Sequence, residues 1–272
     1  MNRNEPGAVT DPKRMTGVVT SRRDITDELW VVRVRPEQAI AFRPGQYVTV
    51  GLPSEARLIE RPYSVASAPR ETELEFFLEL VRKGRLSPHL YDVPEGGRIY
   101  LRREAKGRLL FDAESGHVNH FMAATVTGVA PFLSMIRDFA ARNAAGNPCP
   151  YRIALLDGAS RSDELAYRRE LASYAGRYDW FEYVPTVSRV WLEPGWRGES
   201  GRCEDVLRKH LDRLGFAPEA TTVYLCGNPV MIENVEGILK RAGFTSGPIR
   251  EESYWHPPKA ELHESATRRS GM

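Results

Sequence analysis

The chain has 272 residues, 42% hydrophobic and 27% charged, with a formal net charge of +2. It is long enough to build two hydrophobic cores, and its balance argues against a fibre, an extended disordered chain or a general nucleic-acid binder. Only Cys149, Cys203 and Cys226 occur, odd in number and far apart, which argues against a disulfide framework, a four-cysteine metal site and a protein-held iron-sulfur cluster. Any redox chemistry then belongs to a bound organic cofactor, and no metal site is expected. The first residues lack the apolar core of a signal peptide and no later run reaches the length of a membrane span, so a cytoplasmic protein with no membrane partner is expected.

Residues 1–15 are polar and aperiodic and read as a loose tail. From Thr16 to about Arg103, β-rich runs at 16–20, 29–34, 46–52, 74–81 and 98–101 are separated by Gly, Pro and charged turns, the pattern of an antiparallel barrel or sandwich. After about His117, apolar strands at 118–124, 152–156, 180–185 and 222–226 alternate with helical stretches at 131–142, 163–175, 203–214 and 229–242. That alternation predicts a parallel sheet with crossover helices. The first of these helices has Pro131 in a turn that tolerates it and places Phe132, Met135, Ile136 and Phe139 on one face. The chain therefore reads as two domains with an extension. An N-terminal antiparallel β-barrel covers 16–115, an α/β parallel-sheet nucleotide-binding domain covers 116–255, and a C-terminal extension covers 256–272.

Four short motifs carry chemistry. Arg61-Pro62-Tyr63-Ser64 ends a barrel strand and supplies a cation for a pyrophosphate, a flat aromatic for a ring system and a hydroxyl donor, although a plain strand end with an exposed arginine reads the same way. Farther on, Val81-Arg82-Lys83-Gly84-Arg85-Leu86-Ser87 ends a strand in a basic turn, with Ser87 as the N-cap of a short helix. Backbone amides and positive charge there can hold pyrophosphate oxygens, or the charges can simply be solvated on a hairpin turn. Thr125-Val126-Thr127-Gly128 joins the first strand of the second domain to its first helix, and its small residues let a dinucleotide pyrophosphate approach the backbone. Tyr224-Leu225-Cys226-Gly227-Asn228-Pro229 places a thiol and a glycine at a strand end, where a parallel sheet lines its ligand crevice; a lone cysteine on an apolar strand is also a common core residue.

The order of these motifs, barrel first and nucleotide domain second, resembles the ferredoxin-NADP reductase superfamily, and within it the bacterial ferredoxin (flavodoxin)-NADP reductases, from about Thr16 to Trp255. The aromatic pair with which that family ends is matched by Tyr254-Trp255. The resemblance implies an FAD-dependent oxidoreductase that transfers electrons between NADP(H) and ferredoxin or flavodoxin. It implies that Arg61, Pro62, Tyr63, Ser64, Val81, Gly84, Leu86 and Ser87 hold FAD. Thr127, Gly128, Gly227 and Trp255 would meet the dinucleotide, and Arg161, Arg189 and Arg202 would bind the 2′-phosphate of NADPH, although loop arginines are often merely solvated. Ser64, Cys226 and Tyr254 would stand at the hydride-transfer position, Tyr254 covering the place where nicotinamide arrives. Nicotinamide gives two electrons as hydride whereas iron-sulfur partners take one, so a flavin is the middle term and the partner is a separate protein. A monomer with no nucleic-acid partner is expected.

Three features stand against the simplest version of this reading. Val126 occupies a position where the family usually has Gly, and a β-branched residue disfavours positive φ and close backbone approach. Asp157, near the end of the second α/β strand, is an acid that would accept from a ribose hydroxyl and favour NADH. The tail beginning His256-Pro257-Pro258 continues past the aromatic pair. Two rival functions follow: a dedicated NAD(P)H reductase component of an oxygenase, and a non-catalytic flavin- or nucleotide-binding module.

Overall fold

The computed structural model describes residues 11–54, 57–245 and 249–254. They fall into two units, one made of the chain up to Phe111 together with Ala130–Cys149, the other of Asp112–Val129 and the chain from Pro150 onward. No helix among the described residues is long and apolar enough to cross a membrane.

The first unit is built on β1 (Arg14–Asp24), β2 (Leu29–Pro36), β3 (Tyr47–Ser54), β4 (Arg57–Ser64), β5 (Leu74–Glu79) and β6 (Arg98–Arg102), with a short helix α1 (Ser87–Tyr91). The strands pair antiparallel in the order β4-β3-β6-β1-β2-β5. Side chains alternate across a strand, so Met15 and Val19, Trp30, Val32 and Val34, Val48 and Val50, Phe76 and Leu78, and Ile99 and Leu101 all enter one core. The chain just beyond β4 reaches the opposite edge: Ala66 N–H donates to the Glu75 carbonyl at 2.8 Å, and Glu75 N–H donates to Ser67 Oγ at 3.1 Å. The sheet thereby curls toward closure, which covers edges that would otherwise template aggregation. Of the two expected all-β architectures, the barrel is the one observed.

Helix α2 (Ala130–Ala144) groups with this unit. Ser134 Oγ donates to the Ser67 carbonyl at 2.7 Å, and Arg137 donates to the Ala66 carbonyl at 3.0 Å and to Glu75 at 2.9 Å. Burial extends beyond the single face predicted for this helix, since Leu133, Ser134 and Asp138 are buried along with Phe132, Met135 and Ile136. Phe139, expected on the buried face, is only half-buried, meeting Phe111 edge-on at 4.8 Å between centroids.

The second unit holds β7 (Asn119–Thr125), β8 (Arg152–Ala159), β9 (Phe181–Val187), β10 (Glu199–Ser200), β11 (Thr221–Gly227) and β12 (Ile249–Ser253). All pair parallel, in the order β10-β9-β8-β7-β11-β12. Helices α4 (Cys203–Leu214) and α5 (Pro229–Arg241) pack their apolar stripes on Phe121, Ala123, Ala154, Leu156, Val223 and Leu225, and α3 (Arg168–Arg177) lies against β9. The expected helix at 163–175 is replaced by a 3-10 turn at Ser162–Glu164 followed by α3. The Glu164 carboxylate accepts from the Ser160 and Arg161 amides at 2.8 and 3.3 Å, and the chain then bends to bury Leu165 and Tyr167. Strand β12 had no counterpart in the sequence reading. Its charged run joins the edge through main-chain pairing with Val223–Gly227 and through Arg250, which donates to Asp112 at 2.6 Å.

A buried polar chain ties the segment entering β7 to this sheet. His120 has no exposed surface; its Nδ1 lies 2.9 Å from the Tyr224 hydroxyl and its Nε2 3.2 Å from the His117 carbonyl, while Asp112 N–H donates to Tyr224 Oη at 3.0 Å. A carbonyl can only accept, so Nε2 carries the proton, Nδ1 accepts from Tyr224, and the ring is satisfied as neutral imidazole. Burial pushes His120 down to about 4, whereas in the unfolded chain it titrates near ~6.5. Between these values the unfolded chain takes up a proton that the folded one refuses, so stability present above the higher value is lost as pH falls through the lower. The unfolding midpoint of wild type should fall over this acid range, and His120→Gln, less stable at neutral pH, should lose that part of the slope when thermal unfolding is followed against pH.

Candidate functional site

In the barrel unit, β4 delivers the Arg61-Pro62-Tyr63-Ser64 run at its C-terminal end, with Tyr63 opposite Val48 and Ser64 opposite Tyr47. The Arg61 guanidinium is exposed and donates to the Glu60 carbonyl at 2.8 Å. Pro62 is exposed and Ser64 buried. Tyr63 is half-buried against the barrel core; burial pushes its phenol up to about 12, with the nearby Arg61 charge opposing. The strand end thus presents an un-ionised aromatic ring beside an exposed cation.

The second barrel motif folds as a self-closed turn. The Val81 carbonyl accepts from Gly84 N–H at 2.7 Å and from Ser87 Oγ at 3.3 Å, while Val81 N–H donates to Ser87 Oγ at 3.0 Å. Ser87 is therefore the first residue of α1 and not its N-cap; the cap position is held by Leu86, whose apolar side chain makes no cap bond, and the serine hydroxyl is spent on Val81. The Leu86 side chain is buried in the barrel core, which leaves only its backbone for a ligand. Gly84 is required by close approach, since a Cβ there would lie 2.8 Å from the Val81 carbonyl oxygen and 3.1 Å from Ser87 Oγ. Val81 is exposed, and Arg82, Lys83 and Arg85 stand out around this cradle. A flat aromatic, an exposed guanidinium and a basic turn with no room for a side chain on Gly84 fit the ring and pyrophosphate of a flavin nucleotide.

In the α/β unit, strand order reverses across β7, which has β8 on one side and β11 on the other. Ligands of such sheets bind beyond the carboxyl ends of the strands at this switch point. Thr127 and Gly128 follow β7, Arg161 follows β8, Arg189 follows β9, Arg202 follows β10, Gly227 ends β11 and Tyr254 follows β12. The loops after β8 and β9 are joined, with Ser188 N–H on the Ala159 carbonyl and Arg189 N–H on the Ser160 carbonyl, each at 3.0 Å. The exposed Arg161 guanidinium is gripped by Asp163 through two of its nitrogens, Nε and Nη2. Arg189 and Arg202 are exposed. Asp157 does not end its strand: β8 continues to Ala159, and the carboxyl is 2% exposed and accepts from the Tyr183 hydroxyl at 2.9 Å. Burial pushes it up to about 7, and it is sealed away from any ribose.

The turn after β7 is held by its neighbours. A Cβ on Gly128 would sit 2.3 Å from the Cys226 carbonyl oxygen, and one on Gly227, at φ +126°, would sit 2.2 Å from Thr125 Oγ1. Thr125 Oγ1 accepts from Asn228 N–H at 2.8 Å, and the Asn228 side chain accepts from Val230 N–H to cap α5. Tyr254, 41% exposed, donates its hydroxyl to the Thr127 carbonyl at 2.8 Å. Cys226 has no exposed surface, contrary to the expectation of a thiol facing the crevice. Burial pushes its thiol well up, Glu252 adds to this, and hydrogen bonding to Tyr254 opposes it, so the sulfur stays protonated beneath the tyrosine. Trp255 and the tail from His256 lie outside the described residues. Thr125 and Asn228 stand within the sequence motifs but were given no role there, although Asn before Pro at a helix start is a capping signal.

Residues 17–108 match the family model for the oxidoreductase FAD-binding domain, and residues 122–237 that for the oxidoreductase NAD-binding domain. The chain is 28% identical over 239 residues to the ferredoxin-NADP reductase of Azotobacter vinelandii, spanning 82% of this chain and 87% of that one. It is 29% identical over 281 residues to the flavodoxin/ferredoxin-NADP reductase of Rhodobacter capsulatus, spanning 97% and 99% respectively. Among solved structures, a ferredoxin NADP+ reductase from Neisseria gonorrhoeae with bound FAD and NADP superposes with a TM-score of 0.78 at 25% identity, over 90% of this chain and all of that one.

Two glycine substitutions separate close approach from conformational freedom. Gly128→Ala forces a Cβ into the Cys226 backbone and should cost about 1–3 kcal/mol or more through overpacking. Gly176→Ala, in α3 with open space around its Cβ, should instead add about 0.5–1 kcal/mol. Thermal unfolding of the two variants beside wild type checks both signs.

Proposed function

The chain belongs to the ferredoxin-NADP reductase superfamily, and on that premise we propose how its residues divide the work of an FAD-dependent oxidoreductase that moves electrons between NADP(H) and ferredoxin or flavodoxin. The observation that carries the assignment is the gathering of Thr127, Gly128, Arg161, Arg189, Arg202, Gly227 and Tyr254 at the carboxyl ends of successive parallel strands in one unit. The aromatic and cationic strand end of β4 in the barrel unit complements it.

When bound, FAD supplies the conversion of a two-electron hydride donor into a source of single electrons. Tyr63 and Ser64 bind and orient its ring, Arg61 meets its phosphate, and the Gly84 turn with its basic side chains receives the pyrophosphate. Thr127 and Gly128 let the dinucleotide pyrophosphate approach the β7 turn closely. Cys226 is a neutral thiol that Tyr254 covers and that nicotinamide reaches only when the ring moves. The protein partner is a ferredoxin or flavodoxin, and the chain acts as a monomer.

Arg161, Arg189 and Arg202 surround the adenosine 2′-phosphate and favour NADPH; Asp157, buried and bonded to Tyr183, does not compete for a ribose hydroxyl. A charge-assisted contact is worth about 1.5–3 kcal/mol, so Arg161→Ala with Arg189→Ala should raise the KM for NADPH about a hundredfold. The KM for NADH should stay where it was. Arg189→Ala alone should do more than Arg161→Ala alone, because Asp163 already occupies the Arg161 guanidinium. Steady-state kinetics with both dinucleotides decide this. The function as a whole is tested by purifying the protein and mixing it with NADPH under nitrogen: the yellow colour should bleach, and added ferredoxin or flavodoxin should then be reduced catalytically. A yellow protein that NADPH does not bleach is a binding module and not a reductase.

A further inference from the structure

Val126 is the one non-glycine residue with positive φ, +50°, among the described residues. A β-branched side chain disfavours that backbone, so such a conformation persists only where the surroundings impose it. Four contacts do so here. Thr125, on one side, is tied to Asn228 N–H; Gly128, on the other, is pressed against the Cys226 carbonyl. The Val126 side chain packs on Ala159, Leu165 and Val187. The fourth is the Tyr254 hydroxyl on the Thr127 carbonyl, and it alone is made by an exposed side chain.

Resting on the reading that this turn receives the dinucleotide and that Tyr254 occupies the nicotinamide place, we propose that Val126 and the Tyr254 hydroxyl form a strained latch that sets how readily the nicotinamide half is admitted. With Tyr254 docked, its hydroxyl fixes the Thr127–Gly128 peptide and Val126 is kept left-handed. When nicotinamide displaces the ring, that bond breaks, the peptide is released and Val126 relaxes. The relaxation returns part of the cost of moving Tyr254. Both residues are positioning residues that bear on the nicotinamide half of the ligand and leave the adenosine half untouched.

The test uses the FAD-loaded protein and two probes, NADP+ and 2′,5′-ADP, which lacks nicotinamide, with affinities from titration calorimetry. Val126→Gly leaves no strain to release, so NADP+ affinity should fall about tenfold, the shift that corresponds to a single left-handed residue. Tyr254→Phe keeps the ring and loses the hydroxyl; the roughly fivefold gain from the missing hydrogen bond is outweighed by the roughly tenfold strain that is no longer there to return, so NADP+ affinity should fall about twofold, less than in Val126→Gly. Affinity for 2′,5′-ADP should not change in either variant. In Tyr254→Phe the turn is already relaxed, so adding Val126→Gly should change nothing further. A readout free of nicotinamide is amide hydrogen exchange across residues 125–129, which should be about fivefold faster in Tyr254→Phe. Val126→Asn, whose short polar side chain tolerates left-handed backbone, should repeat the glycine result and guards against a folding defect. Additive effects in the double variant, unchanged or tighter NADP+ binding by both position-126 variants, or unaltered exchange in Tyr254→Phe would overturn the latch. A wild-type protein that fails to bind 2′,5′-ADP would overturn the dinucleotide reading and the latch with it.

Discussion

Two strand ends in the α/β unit approach so closely that neither can carry a side chain on its facing glycine. Gly128 lies on the Cys226 carbonyl and Gly227 lies on Thr125. This contact joins the turn after β7 to the end of β11 at the place where strand order reverses, and the rest of the crevice is arranged around it. Thr125 reaches Asn228, Asn228 caps α5, and Tyr254 at the end of β12 reaches back to Thr127. The turn is held mainly by backbone, with few side chains.

The barrel unit reaches a similar end by different means. Its cradle is a turn closed on itself through Val81, Gly84 and Ser87, and its aromatic strand end is anchored by packing. Charge is organised around the barrel as well: Glu60 accepts from both Arg14 and Arg102, and Arg33 contacts Glu71, Glu73 and Glu75. In the second motif Arg82 is itself paired with Glu28 at 2.9 Å, while Lys83 and Arg85 stand exposed beside it.

The architecture was legible because two different periods run through the chain. Alternating residues such as Trp30, Val32 and Val34 mark the barrel, and apolar runs with intervening amphipathic helices mark the parallel sheet. The helix at Cys203–Leu214 was placed to the residue, since Gly215 stops it in left-handed backbone. What escaped was decided by tertiary bonds. The Ile249–Ser253 run has no strand pattern and pairs because β11 offers an edge. Ser87 resembles a cap but turns to Val81, and Cys226 resembles a crevice thiol but lies under Tyr254. Val126 was visible as a departure, and its +50° φ explains why glycine is the easier residue there.

The orientation of Asp157 is set by the sheet and not by the loops. Because β8 runs two residues past it, the carboxyl turns inward to Tyr183, and the loop leaves the strand at Ser160. Redesign toward NADH cannot recruit the acid already present. It would have to plant a new one at Ser160, on a loop whose amides Glu164 already claims and whose carbonyl Arg189 already holds. A substitution there would then disturb the hydrogen bonds that join two loops, so the two loops can only change together.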